Sequence, residues 1–328
     1  MLPLRACDVF NGDADGICAL HQLRLDSPQD SMLITGCKRD IDLLHRVPAE
    51  PCDVTVLDIS LDRNADALQR LLDTGSRVRY YDHHSARKVF THPRLSLFHD
   101  DSPKVCTGML VDRQLGGRYR QWAVTAAFGD NLPTVAHELA QQGGLSADET
   151  QAAKVLGFLL NYNAYGESVE DLHIAPDQLF RALSVYFMPS DFIADAPQYA
   201  VLADGYRADE GHLHGIEPVF QAPCGAIFML PCRDWARRVS GVFANRLITG
   251  SEGRAFAVLT ENRDGSFTVS MPESHAASAF CEQFAGGGGR RAAAGINRLP
   301  ESELDRFIRS FADYFLGMGT SQAARVSA

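Results

Sequence analysis

Short apolar segments of β-type residues alternate with helical patterns over residues 5–82 of the chain. The predicted strands are 5–10, 31–36, 54–59 and 78–82. The predicted helices between them are 17–25, 41–46 and 63–73. Strands that are separated by helices in this way pair as a parallel sheet with helices on its faces. Ligands of such sheets bind outside the carboxyl ends of the strands. Functional residues are therefore expected where these strands end.

The chain has 328 residues, which is long for one hydrophobic core, so two domains are expected. The pattern becomes helical over 121–192, and 193–223 carries several prolines and glycines without clear periodicity. Further β-type segments follow, and then a glycine run and a terminal helical pattern. The sequence predicts an α/β protein with a parallel-sheet domain with helices on both faces (1–195), a linker (196–222), a smaller C-terminal α/β domain (223–316) and a disordered tail (317–328).

Composition argues against a disordered chain and against a membrane-spanning one. Hydrophobic residues make up 45% and charged residues 22%, as in soluble globular proteins. No apolar run approaches the roughly 20 residues that a bilayer crossing needs, and residues 1–5 lack the pattern of a secretory signal. The eight cysteines form no CxxC pair, which favours reduced thiols and a cytoplasmic location.

An acidic turn follows the first predicted strand. The segment NGDADG at 11–16 places Asp13 and Asp15 on a glycine-flanked turn that opens a helix. These carboxylates can point at one divalent cation or at two neighbouring ones, and magnesium and manganese favour such oxygen ligands. A calcium loop of the EF-hand type is disfavoured because its twelfth position is Gln22 and because the context is strand, turn and helix. An acidic turn that only caps the helix stays open as an alternative.

Two further predicted strands end in acidic or imidazole residues. Asp58 ends the third strand, and Asp82, His83 and His84 end the fourth. A lone histidine is more often structural than a ligand, but here three strands end in Asp or His at the edge where this fold binds ligands. Imidazole beside carboxylates is a ligand mix typical of manganese, and a carboxylate can bridge two cations about 3.5–4 Å apart. The sequence therefore predicts a dinuclear metal centre.

Four glycines followed by two arginines, GGGGRR at 286–291, form the other unusual segment. Consecutive backbone N–H groups there can form a nest for an anionic oxygen, and the arginines add charge-assisted contacts. A flexible linker is the alternative, although the run leads into small apolar residues instead of Ser or Pro. The residues expected to contact phosphate are Gly287, Gly288, Gly289, Arg290 and Arg291.

Four motifs together resemble the DHH phosphoesterase superfamily with its C-terminal DHH-associated domain. In chain order they are DxDG at 13–16, DIS at 58–60, DHH at 82–84 and GGGG at 286–289. The superfamily includes RecJ-type single-strand exonucleases, nanoRNases and cyclic-dinucleotide phosphodiesterases. The resemblance covers both halves of the chain. It implies a parallel α/β domain joined across a cleft to a smaller substrate-binding α/β domain, with manganese as the usual metal.

The resemblance also implies a role for each metal ligand. Asp13 resembles a ligand of the first metal, whereas Asp15 and His83 resemble ligands of the second. Asp58 resembles the carboxylate that bridges both metals. Asp130, in the segment AAFGDN at 126–131, resembles a further family ligand from the helical region.

The catalytic residues that the resemblance implies are Asp58, Asp82, His83 and His84. His84 would contact the scissile phosphate or the shell of the first metal, and Asp82 would support the imidazoles. The chain departs from the family pattern at three places. Asn11 stands where relatives often carry Asp or His, Arg290 stands where they usually carry His, and SMP at 270–272 replaces a Ser-x-Arg pattern.

The resemblance implies a manganese-dependent phosphodiesterase of the exonuclease or nanoRNase type, in which two divalent cations, manganese or else magnesium, activate water and nucleoside monophosphates are released. Residues 221–328 hold only 12 basic and 10 acidic side chains in a chain of net charge -10. That balance disfavours an extended groove for long strands and favours short single-stranded oligonucleotides or linear dinucleotides. Arg233, Arg237 and Arg238 are candidate phosphate contacts, but a solvated helix face is the favoured interpretation for at least two of them.

Two other functions stay open at this point. A phosphoanhydride hydrolase acting on pyrophosphate or polyphosphate would need the same metal ligands. A protein that binds a nucleotide without cleaving it is the less favoured alternative, because the metal ligands are retained. No membrane partner is expected, and the oligomeric state is left open between monomer and homodimer.

Overall fold

The structure of the chain is a computed structural model that describes residues 4–88, 90–248, 253–272, 275–290 and 293–326. The chain divides into two compact units, Met1–Gly205 and Tyr206–Ala328. Among the described residues, no helix combines the length and the apolar character that a membrane crossing requires.

Five strands of the first unit form one sheet in which every neighbouring pair is parallel. They are β1 (Arg5–Phe10), β2 (Met32–Ile34), β3 (Cys52–Leu57), β4 (Arg77–Asp82) and β5 (Leu95–His99), in the order β2-β1-β3-β4-β5. The four strands predicted from the sequence are confirmed to within two residues at each end. The edge strand β5 was not predicted, because none of its residues is fully buried and its apolar signal is weak.

Helices surround this sheet and confirm the α/β class. They are α1 (Ala14–Asp26), α2 (Ala65–Asp73), α3 (Thr107–Gln114), α4 (Arg120–Gly129), α5 (Pro133–Gln142), α6 (Ala147–Asn163), α7 (Pro176–Leu183) and α8 (Pro189–Asp195). The helix predicted at 41–46 is only a 3-10 turn, Leu44–Arg46. Helix α1 is buried from Ala14 to Leu23 and packs against α3, α4 and α6.

Glycines allow helices α1, α4 and α6 to approach closely. A Cβ atom at Gly129 would lie 2.2 Å from the Cβ of Ala14 and 3.0 Å from the carbonyl oxygen of Gly157. A Cβ atom at Gly157 would lie 2.3 Å from the carbonyl oxygen of Thr125. Any larger side chain would push the helices apart. This contact places the C-terminal end of α4 against the first turn of α1.

The stretch that the sequence predicts as a linker is largely helical. Helix α9 (Pro197–Gly211) occupies most of it, and the division between the two units falls inside this helix. Proline is tolerated at Pro197 because the first N–H groups of a helix have no intrahelical partner. Leu202 is fully buried, so the segment has an apolar contact that its glycines and prolines concealed.

The second unit contains a six-stranded mixed sheet. Its strands are β6 (Phe220–Ala222), β7 (Gly225–Leu230), β8 (Ala255–Glu261), β9 (Phe267–Pro272), β10 (Gly287–Arg290) and β11 (Ala293–Leu299), in the order β10-β11-β9-β8-β7-β6. Strands β7 and β8 are parallel, and the other pairs are antiparallel. The helices are α10 (Asp234–Ile248), α11 (His275–Cys281) and α12 (Leu304–Val326). Helix α12 thus runs past residue 317, where the sequence predicts a disordered tail.

Candidate metal centre

The loops after β1, β3 and β4 bring acidic and imidazole groups to one edge of the parallel sheet. Phe10 pairs with Leu57, and Leu57 pairs with Tyr81, so the three loops begin at the same level. The residues at or after the ends of these strands include those predicted from the sequence: Asp13, Asp15, Asp58, Asp82, His83 and His84.

His83 is buried, and three carboxylates approach one of its ring nitrogens. Nδ1 lies 2.7 Å from the carbonyl oxygen of Val105; because that oxygen can only accept, Nδ1 carries the proton. Nε2 lies 3.3 Å from Asp58 Oδ1, 3.7 Å from Asp130 Oδ2 and 3.8 Å from Asp15 Oδ2. Burial alone would lower the pKa of His83, but these carboxylates raise it to about 10. The site therefore favours positive charge at this point.

The first turn of α3 positions Asp15. The two oxygens of its carboxylate accept hydrogen bonds from the backbone N–H groups of Thr107 and Gly108, each over 2.7 Å. A helix N-terminus stabilises negative charge. Burial nevertheless raises the pKa of Asp15, and the neighbouring acids Asp130 and Asp13 add to the effect. Thr107 and Gly108 were not predicted from the sequence, because a backbone N–H group can come from any residue type and so leaves no motif.

Asp58 combines a rare backbone conformation with a buried carboxylate. Its φ of 58° lies in the left-handed region, which non-glycine residues seldom occupy. Burial raises the pKa of Asp58 well above its ordinary value, and the charges of Asp15 and Asp13 raise it further. Backbone strain and a perturbed carboxyl at the same residue are typical of functional sites. A bound cation would relieve the repulsion among these acids.

Asp82 holds His84 and does not face the three carboxylates. Its Oδ1 accepts the backbone N–H of His84 over 3.0 Å and lies 2.6 Å from Nδ1 of the same residue. Its Oδ2 accepts the backbone N–H of Leu61 over 3.0 Å. Burial opposes ionisation of Asp82, but these bonds lower its pKa below the ordinary value. Asp82 therefore supports one imidazole, that of His84, whereas a backbone carbonyl supports the other.

Asp13 lies on the same edge, but its two oxygens are engaged. Oδ1 accepts the backbone N–H groups of Asp15 and Gly16 over 3.0 Å and 3.2 Å, so Asp13 caps helix α1. Oδ2 forms an ion pair with Lys38. Burial opposes ionisation of Asp13, but Lys38 and the capping bonds lower its pKa. Lys38 was not predicted from the sequence, although it follows strand β2 and so belongs to the same edge.

Within the described residues, two groups of three side chains could hold a cation. They are Asp58 with His83 and His84, and Asp15 with His83 and Asp130. The groups share His83, which can bind a cation only through Nε2, once that nitrogen has lost its proton, because Nδ1 donates to Val105. An imidazole among carboxylate oxygens fits manganese and, less well, magnesium, which prefers oxygen alone. The structure thus brings together four of the five predicted ligands, Asp15, Asp58, His83 and Asp130, and it includes Asp13 in neither group. That these side chains bind a metal stays a prediction.

The glycine motif lies in the second unit and is extended. Gly287–Arg290 forms strand β10 at the edge of the six-stranded sheet, whereas a nest requires a turn. Gly287 must be glycine, since a Cβ atom there would lie 1.9 Å from the carbonyl oxygen of Cys281. Arg291 lies outside the described residues. Contact between this motif and phosphate stays a prediction, now through the backbone groups of an edge strand.

Two of the three candidate arginines are buried in the second unit. Arg238 donates two hydrogen bonds to Asp209, over 2.6 Å and 3.0 Å. Arg237 donates to Asp234 over 3.2 Å and to the Sγ of Cys232 over 3.0 Å. Neither side chain lies on the solvated helix face that the sequence analysis favoured, because each is partnered within the unit. Arg233 is exposed.

Comparisons with known proteins agree with this architecture. No protein-family model matches the sequence, and no curated protein matches it. Among solved structures, RecJ from Thermus thermophilus, in complex with Mn²⁺, has a TM-score of 0.64 at 17% identity, over 95% of this chain and 52% of RecJ. The chain thus spans about half the length of that relative.

Two further solved structures have the same fold. A DHH domain from a protein described as a member of a family of ribosomal proteins has a TM-score of 0.61 at 14% identity, over 94% of this chain and 86% of that one. A pGpG-specific phosphodiesterase from Vibrio cholerae has a TM-score of 0.53 at 13% identity, over 95% of this chain and 99% of that one. The chain therefore has the same fold as these DHH proteins, as its four motifs predict.

Proposed function

We propose that the chain is a divalent-cation-dependent phosphodiesterase, with manganese as its metal, that hydrolyses short single-stranded oligonucleotides or linear dinucleotides to nucleoside monophosphates. One observation carries this proposal: the carboxylates of Asp15, Asp58 and Asp130 converge within 3.8 Å of Nε2 of His83. Two proteins of the same fold support it, since RecJ was solved with Mn²⁺ and the Vibrio protein is described as a phosphodiesterase.

The residues of the centre have separate tasks in such a reaction. Asp15, Asp58, Asp130 and Nε2 of His83 would hold the metal. A divalent cation bound there would lower the pKa of water and neutralise charge on the phosphoryl oxygens. The oxygen of a water molecule attacks phosphorus, the bond to the leaving ribose oxygen breaks, and a proton passes to that oxygen.

We assign contact with the scissile phosphate to His84. Its ring is fixed through Nδ1 by Asp82, and its side chain is 21% exposed, so Nε2 can reach a bound molecule. Asp82 keeps the tautomer and orientation of the ring, which is the usual task of a buried carboxylate behind a working histidine. Neither residue needs to bind the cation.

The substrate class rests on charge and on the resemblance. The near-neutral second unit argues against binding of long strands, and the glycine strand is the candidate contact for the substrate's phosphate end. All eight cysteines are free thiols, which suits the reducing cytoplasm that we propose as its location.

The test is manganese-dependent turnover of a 5′-labelled oligonucleotide series of graded length, in RNA and in DNA. Asp58→Ala and His83→Ala should each lower the rate by about a thousandfold or more, because each removes a metal ligand. His45→Ala is the matched control, since His45 is an exposed histidine paired with Asp42, and it should leave the rate unchanged. Equal rates in all four proteins would refute the assignment.

Pyrophosphate in the same buffer separates this proposal from the rival hydrolase of phosphoanhydrides. Faster release of phosphate from pyrophosphate than of monophosphate from a dinucleotide would favour the rival. Tight binding of the dinucleotide without any product would instead favour a nucleotide-binding protein that has no catalytic activity.

A further inference from the structure

Lys38 is held at its backbone and at its ammonium group. Its N–H donates to the carbonyl oxygen of Ala164 over 2.9 Å, and its carbonyl oxygen accepts the side-chain amide of Asn11 over 3.1 Å. Its Nζ donates to Oδ1 of Asn161 over 2.8 Å and pairs with Asp13. An exposed lysine on a flexible stem has no such set of partners. The position of the ammonium group is therefore built into the fold.

Asn11 contributes to that position instead of offering a metal ligand. Its Oδ1 accepts the backbone N–H of Asp13 over 3.2 Å, and its Nδ2 is the group that donates to Lys38. The side chain is buried, and both its oxygen and its nitrogen are hydrogen-bonded within the protein. The residue that departs from the family pattern is thus the one that braces the lysine.

Both groups of described side chains that could hold a cation include His83. Asp15, Asp58 and Asp130 all approach its Nε2, and one nitrogen can serve one ion. Asp13 is instead neutralised by Lys38. A second divalent cation on Asp13 would come close to the ammonium group, and repulsion between like charges a few ångströms apart would weaken its binding by about a hundredfold or more.

We infer that the ammonium group of Lys38 takes the place of one of the two cations that the family resemblance implies, so that the protein binds one divalent cation tightly, on Asp15, Asp58, His83 and Asp130. This inference rests on the proposed function for the reaction but not for the number of ions. Lys38 then supplies a fixed single positive charge beside Asp13, on the edge where a phosphate would be bound. It acts as a charge-supplying and positioning residue.

The test counts manganese on the full-length chain by calorimetric titration and by the electron paramagnetic resonance spectrum of bound Mn²⁺. The wild-type protein should bind one ion, with a spectrum of isolated ions. Lys38→Met, of similar length but neutral, should gain a second site at least about tenfold tighter than any second site of the wild type, with the spectrum of a coupled pair. Lys154→Met, at an exposed position of α6, is the matched control and should match the wild type.

Each outcome decides the inference. Two ions of similar affinity on the wild type would overturn it, and so would a Lys38→Met protein that folds and still binds one. If the Lys38→Met protein fails to fold, the number of ions bound by the wild type decides the inference. The double variant Lys38→Met with Asn11→Asp then adds a carboxylate next to Asp13 as a further ligand for a second ion. A wild-type protein that binds one ion and hydrolyses no substrate would refute the proposed function and support this inference. A wild-type protein that binds two ions and hydrolyses the substrate would support the proposed function and refute this inference.

Discussion

His83 donates a hydrogen bond from Nδ1 to the carbonyl oxygen of Val105 over 2.7 Å, and this bond determines which ring nitrogen faces the acids. A metal-binding histidine needs such a partner to fix its tautomer. His83→Asn keeps a donor near the position of Nδ1 but has no ligand at the position of Nε2. We expect Mn²⁺ affinity, measured by calorimetric titration, to fall by at least about a hundredfold while the protein remains folded.

His83→Gln is the companion variant for this prediction. Its side-chain amide reaches the position of Nε2 but cannot form the hydrogen bond to the carbonyl oxygen of Val105. If the ring binds the cation through Nε2, the Gln variant should retain more affinity than the Asn variant. The reverse order would mean that Nδ1, and not Nε2, is the ligand.

The buried carboxylate of Asp58 should lower the free energy of unfolding of the metal-free protein. Its carboxyl is buried beside Asp15 and Asp13, and its pKa is raised well above the ordinary value. Asp58→Asn removes the charge and still tolerates a φ of 58°. Without metal, we expect the free energy of unfolding in urea to rise by about 1–2 kcal/mol, while binding of Mn²⁺ is lost.

Asp58→Ala separates the effect of charge from that of the backbone. Alanine removes the same charge but disfavours the left-handed region, so it should be less stable than the asparagine variant by about 1 kcal/mol. A fall in stability for both variants, without metal, would show that the carboxylate is stabilising and that the strain has another cause.

Gly129 positions Asp130 through a close approach of two helices. A Cβ atom there would lie 2.2 Å from that of Ala14, so Gly129→Ala should move the end of α4 away from α1. We expect a loss of about 1–3 kcal/mol in unfolding free energy and weaker binding of Mn²⁺, since Asp130 is the next residue. Gly211→Ala is the control, because a Cβ atom at Gly211 would meet nothing within 4 Å, and it should leave both quantities nearly unchanged. Unchanged binding in Gly129→Ala would exclude Asp130 as a ligand.

The sequence predicts the strands and most of the candidate ligands because both leave local signals. Apolar runs mark β1, β3 and β4, and Asp58 and His83 follow them directly. Asp130 follows a helix, where no strand end points to it, and only the resemblance to the family located it. Local sequence signals are therefore enough to predict candidate ligands that lie directly after a strand.

Contacts between distant segments could not be predicted in the same way. Lys38 and Asp13 are 25 residues apart, and the N–H groups that hold Asp15 come from 92 and 93 residues away. Neither contact has a periodicity or a spacing that the sequence displays. The helix α9 within the predicted linker was not predicted for a related reason, since the burial of Leu202 depends on packing and not on composition.

His21 should make the protein sensitive to acid. Its Nε2 lies 2.9 Å from the carbonyl oxygen of Tyr186, and its ring stands edge-on to Trp122. Burial lowers the pKa of His21 to about 4, below its ordinary value of 6.5. Between these values the unfolded chain binds a proton that the folded chain does not, so the stability conferred by the neutral ring is present above about pH 6.5 and is lost as the pH falls toward 4.

His21→Gln keeps a donor for Tyr186 and removes the titration. Between about pH 7.5 and pH 5, the free energy of unfolding of the metal-free wild type should fall by about 2 kcal/mol more than that of the variant. Urea titrations of both proteins at the two pH values measure this difference. The shifted carboxyls of the metal centre are present in both proteins, so their own pH dependence cancels in the comparison. Parallel losses of stability would mean that His21 takes up its proton as readily in the folded protein as in the unfolded chain, so that at pH 5 its bond to Tyr186 would involve an imidazolium.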